Sequence, residues 1–143
     1  MFYKVNTEPQ QITHLLEADG NLPNNPDLPL VVYGQAFLFD EEGEPEFIER
    51  KIIENTWGGN WRNGIYPVHH YHSIAHEVLG VYAGSARVQF GGESGPGLRE
   101  RGFSHATLER DTLIARLSGK SSHTTSLSEA GINSFIFFEI TRT

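Results

Sequence analysis

Hydrophobic and polar positions change rhythm once along this chain. Over residues 1–56 the pattern is mixed. QITHLLEA has the apolar spacing of a short helix, ended by Asp19 and Gly20. NLPNNPDLP follows, with three prolines and three asparagines, and predicts an irregular arm. LVVYGQAFLF reads as one strand. Pro45 suits the first turn of a helix through EFIERKIIENT, where Phe47, Ile48, Lys51, Ile52 and Asn55 recur at helical spacing. After WGGNWRNG, short β-rich runs alternate with Gly, Ser and Asn: IYPVHHYH, EVLGVYAG, SARVQFGG, TLIARL, HTTSL and NSFIFFEI. Short strands with regular turn signals predict a sandwich or barrel. The expected architecture is mainly β in one structural domain. An N-terminal arm, strand and helix over residues 1–56 pack on a β-barrel over 57–143.

Composition narrows the function classes. The 143 residues suffice for one domain with a real core. The apolar runs fall well short of the ~20 residues of a membrane helix, and the N-terminal MFYKVNTEPQQ lacks the apolar region of a secretory signal. The expectation is a cytoplasmic protein with no membrane partner. A net charge of −7 argues against a nucleic-acid partner, which requires a basic stripe. With no cysteine, any metal must be held by histidine and carboxylate. A small-molecule substrate is the partner expected.

The chemistry concentrates in VHHYHSIAHEVLGVYAG, where four histidines and one glutamate fall within nine positions. A helix would set His72 and His76 on one face, as in zinc proteases, but Glu77 lies outside the pair, and H-E-x-x-H requires it inside. Pro67 and the β-branched and aromatic flanks also disfavour a helix. On a strand, side chains alternate. Tyr66, Val68, His70 and His72 then share one face, and His69 and Tyr71 take the other. With a turn over Ser73 to His76, Glu77 returns beside His70 and His72 across a hairpin. Two imidazoles and a carboxylate suit one divalent transition metal, Fe, Mn, Zn, Ni or Co. The plainer alternative is a set of histidines hydrogen-bonded to one another or to water.

The spacing Gly64, five residues, His70, one residue, His72, four residues, Glu77, six residues, Gly84 reproduces the first cupin motif, G-x5-H-x-H-x3,4-E-x6-G. The wider stretch from LPNNPDLPL to WRNGIYPVHHYHSIAHEVLGVYAGSARVQFGGESG resembles the small single-domain cupins of the YjlB-like group. That resemblance implies a double-stranded β-helix (jelly-roll) barrel with a metal inside, and His70, His72 and Glu77 as its ligands. The second cupin motif implies a fourth ligand, His123, in RDTLIARLSGKSSHTTSL. There Arg110 replaces the first Gly of the pattern and Arg116 its Pro; the turn before the histidine is longer than the pattern, and no Asn stands four positions after it.

The family hosts oxygenases, isomerases, lyases and binders, so the implied function is a metal-dependent enzyme acting on a small oxygenated molecule. The alternatives are a non-catalytic metal-bound binding protein and a structural cupin with a decayed site. Glu77, Tyr66 and Arg116 are the catalytic candidates. Arg62, Arg87 and Arg116 each offer a guanidinium for a substrate carboxylate, and Trp57 and Trp61 offer either a substrate wall or core packing. His69 and His76 read as turn or supporting residues, and His14 and His105 as surface. FGGESGPG opens no helix and reads as a hairpin turn rather than a phosphate cradle. A homodimer is expected, with the Pro/Asn-rich arm covering a neighbour's sheet edge.

Overall fold

A computed structural model describes residues 3–16, 23–39, 45–64, 70–91, 105–109, 113–116, 121–123, 125–127 and 134–141. In chain order its elements are β1 (Tyr3–Val5), β2 (Gln10–His14), β3 (Leu30–Gly34), β4 (Phe37–Phe39), α1 (Pro45–Glu54), β5 (Gly58–Asn63), β6 (His70–His72), β7 (Ala75–Ala83), β8 (Ser85–Gln89), β9 (His105–Glu109), β10 (Leu113–Arg116), β11 (Ser121–His123), β12 (Thr125–Leu127) and β13 (Ser134–Thr141). The chain is mainly β, as its patterning predicts. Among the described residues the strands form four separate sheets rather than one closed barrel.

The largest sheet has six strands in the order β2-β3-β10-β7-β13-β5, with every neighbour antiparallel. The smaller sheets are β1-β4, β6-β11 and β12-β8-β9. From β6 onward the chain passes repeatedly between the large sheet and the small ones. One such crossing falls at Gly84, between β7 and β8. Its φ of 67° is a left-handed conformation that glycine adopts without a Cβ penalty, which explains a glycine at the end of the histidine-rich motif.

The strand β7 divides two regions of core. Glu77, Leu79 and Val81 lie on one face with 2%, 1% and 0% exposure, so this face is dry along the strand. Val78 lies on the other face and packs with Ala36, Phe37, Phe47, Ile48 and Ile52 beneath α1. The rings of Phe37 and Phe47 meet edge-to-face at 6.1 Å. The helix itself follows the expected spacing, burying Phe47, Ile48 and Ile52. It ends at Glu54 and is closed by a turn at Thr56, whose φ is 72° and whose N–H donates to the Ile53 carbonyl at 2.9 Å.

Two expectations are corrected. QITHLLEA begins as strand β2 and not as a helix, because residues 10–14 pair along their whole length with β3. A helix would have gathered Ile12, Leu15 and Leu16 onto one buried face, yet Ile12 is 49% exposed and Leu15 45%. Non-local ladder bonds override the local preference. LVVYGQAFLF is two strands, β3 and β4, broken at Gln35 with a φ of 54°. Asn6 holds this break: its Nδ2 donates to the Gln35 carbonyl at 2.8 Å and its backbone N–H to the Ala36 carbonyl at 2.9 Å. The Pro/Asn-rich arm is tied to its own chain, since the buried Asn24 donates from Nδ2 to the Gly91 carbonyl at 2.7 Å.

Candidate functional site

Strand β6 is only three residues long, and its alternation sets Tyr71 outward at 43% exposure while His70 and His72 are half-buried. The two imidazole rings lie 5.6 Å apart, centroid to centroid, inclined by 53°. Glu77 approaches them from β7. Its Oε1 stands 3.9 Å from His72 Nε2, beyond hydrogen-bond reach yet close for two groups brought from different sheets. A carboxylate this deeply buried is costly without compensation from charge or hydrogen bonds.

The route to this arrangement differs from a hairpin. β6 pairs with β11, and β7 pairs with β10 and β13. Glu77 therefore faces His72 from another sheet, not from a neighbouring strand of the same ladder. The turn is also shorter than expected, spanning Ser73 and Ile74, with His76 already inside β7. Strand alternation then sets His76 on the Val78 face, away from Glu77.

Register places two more of the sequence candidates near by. His123 on β11 is the cross-strand partner of His70, and Arg116 on β10 is the partner of Glu77. On the other side of β7, Glu139 of β13 is also in register with Glu77. Arg116, Glu77 and Glu139 thus form one row across three strands. Glu139 escapes a reading of motifs, although a glutamate inside the apolar run FIFFEI was a visible anomaly. Tyr66 and His69 lie outside the described residues, as does most of FGGESGPG. Among the described residues, no three His, Asp or Glu side chains stand close enough to share an ion. The donors brought together are the pair His72 and Glu77, with His70 beside them.

Other candidates are placed elsewhere. Arg62 is committed to the helix: its Nε and Nη2 donate to the two Glu49 carboxylate oxygens at 2.8 and 2.9 Å, and Nη2 also reaches Glu46 at 2.8 Å. It ties β5 to α1 and is not a substrate clamp. The hydrogen bond from Arg62 holds the Glu46 carboxyl below the usual carboxylate range. A lowered folded-state value means that this contribution is present above the ordinary carboxylate pKa and is lost as pH falls through the folded one. Arg62→Met is therefore expected to lower the urea midpoint modestly at pH 7, with the gap to the parent closing in acid. An equal gap at both pH values would contradict the pairing. Trp57 packs with Tyr33 and Tyr82 against the cluster under α1, on the sheet face away from Glu77, whereas Trp61 is 38% exposed on β5.

Over 83 residues, 58% of its length, the chain is 41% identical to the Bacillus subtilis (strain 168) protein named "Uncharacterized protein YjlB". That match covers 47% of the relative, so the chain spans about half the length of the protein it resembles. No family model matches the chain, and no solved structure matches it. Among the described residues, no helix is long and apolar enough to cross a membrane.

Proposed function

We propose that this chain is a metal-dependent cupin enzyme acting on a small oxygenated organic molecule, as an oxygenase or as a lyase or isomerase. The observation that carries this reading is the buried Glu77 carboxylate, 2% exposed, with His72 Nε2 at 3.9 Å. Two donors each about 2.1 Å from one ion stand roughly 3 to 4.2 Å apart, and the observed separation lies inside that range. The donor set also fits, because imidazole and carboxylate suit first-row divalent metals. The passage of consecutive strands between a large sheet and smaller ones supports the jelly-roll form of the proposal.

In this reading His70, His72, Glu77 and His123 hold the ion. When bound, such an ion supplies Lewis acidity toward a carbonyl or enol oxygen and, if redox-active, a route to oxidation. The protein supplies the rest. Leu79 and Val81, buried beside Glu77, keep that face of β7 dry, which strengthens every electrostatic contact made there. Arg116, in register with Glu77, is the candidate to hold an anionic oxygen of the substrate bidentately. Tyr66 is the candidate to pass a proton to or from that substrate.

The reaction class is tested by oxygen uptake with catechol, flavonol and diketone panels on protein loaded separately with Fe(II), Mn(II) and Zn(II). An oxygenase consumes O2 with Fe(II) or Mn(II) and is silent with Zn(II). Turnover with Zn(II) under nitrogen identifies a lyase or isomerase. No turnover with any ion would contradict the enzymatic reading and leave a binding protein.

A further inference from the structure

A cavity lies on the face of β7 opposite Glu77, between α1 and the large sheet. Its volume is about 400 Å³, within the ~300–1,000 Å³ typical of small-molecule sites. Its apolar wall includes Val5, Phe37, Ile52, Trp57 and Val78. Val78 and Glu77 are adjacent in β7 and point to opposite faces, so the thickness of the sheet separates this cavity from the candidate metal ligands.

The polar part of the lining is selective in sign. In a chain of net charge −7, the described residues that line the cavity include no aspartate or glutamate, and Lys51 is the one charged residue among them. Tyr33 and Trp57 add a hydroxyl and an indole N–H. Both side chains are half-buried, and among the described residues neither group makes a hydrogen bond, so both donors are open to a ligand. Asn6, also in the lining, is already used, with Nδ2 donating to Gln35 and Oδ1 accepting from the Glu8 N–H. Lys51 Nζ pairs with Glu54 at 2.9 Å, but both side chains are substantially exposed, at 36% and 50%, and such pairs hold weakly. The ammonium can turn from Glu54 to a carboxylate in the cavity at little cost.

We propose that this cavity is a ligand site for a compact aromatic carboxylate. The ring lies among Phe37, Ile52, Trp57 and Val78, and the carboxylate is held by Lys51 with the Tyr33 and Trp57 donors. The site is independent of any metal.

The test is calorimetric titration of the full chain with 2-naphthoate and with neutral 2-naphthamide, before and after chelator treatment. Saturable binding of one naphthoate per chain is expected, unchanged by chelation. Lys51→Met, on an exposed part of the helix, should weaken naphthoate about tenfold, the scale of one lost charge-assisted hydrogen bond, and leave naphthamide unaffected. Val5→Trp, introduced from the 41%-exposed rim of the cavity, should abolish binding of both probes. Circular dichroism confirms folding of each variant, and Lys51→Met alone decides the outcome if Val5→Trp does not fold. The proposal is overturned by no saturable binding to the parent, by undiminished naphthoate binding to Lys51→Met, by binding that survives Val5→Trp in folded protein, or by binding that chelation removes.

Discussion

Ile48→Ala is expected to lower the unfolding free energy by about 2–5 kcal/mol, the range for truncating a fully buried aliphatic side chain. Ile48 is 0% exposed in the cluster that joins α1 to β7, between Phe47 and Ile52 of the helix and Val78 of the sheet. Its loss removes apolar burial and opens a cavity that the surrounding rings cannot fully close. Alanine's better helix propensity returns only a few tenths of a kcal/mol. With the usual urea dependence of a small domain, the midpoint should fall by roughly 1–2 M. Ile53, one residue on, is 49% exposed and supplies the control: Ile53→Ala should stay within about 0.5 kcal/mol of the parent. Equal effects at the two positions would mean that α1 does not dock through the Ile48 face.

Glu77→Gln and His72→Ala are each expected to weaken metal binding by more than the ~100-fold that follows loss of a group which merely orients a ligand. Gln preserves the shape of the buried side chain and discards its charge, so the sheet should remain folded by far-UV circular dichroism. The parent should gain thermal stability when metal is added, by mass action on the folded state, and the two variants should gain far less. His76→Ala should be much milder, at most the ~10- to 100-fold loss of a supporting group and closest to the parent if His76 touches no ligand, because alternation in β7 sets it on the face opposite Glu77. His123→Ala examines the altered second motif. Register with His70 puts His123 on the adjoining strand, and a loss matching His72→Ala is expected. Binding equal to the parent would leave a site of three protein ligands.

Much of this fold was legible wherever the pattern is local. Pro45 and the spacing of Phe47, Ile48 and Ile52 announce α1, and alternation through His70, Tyr71 and His72 announces β6. Strand β5 was not legible: GGNWRN has neither alternation nor β-branched residues, and it is extended because it pairs with β13 at the edge of the large sheet. Strand β2 is hidden for the same reason, its apolar spacing being helical while its backbone bonds go to β3. At the candidate site, the order of His70, His72 and Glu77 suggested proximity, but not that Glu77 comes from a different sheet. The row of Arg116, Glu77 and Glu139 depends on pairing residues more than twenty positions apart, and no local pattern encodes such register.

The central claim, that His70, His72 and Glu77 belong to a metal centre, is tested most directly by metal content. The measurement is mass spectrometric metal analysis of untagged protein purified without chelator, repeated after reconstitution with Fe, Mn, Co, Ni and Zn. Close to one divalent transition metal per chain is expected, falling sharply in Glu77→Gln. Protein that remains metal-free after reconstitution with all five ions, or Glu77→Gln that retains the parent's metal, would contradict it.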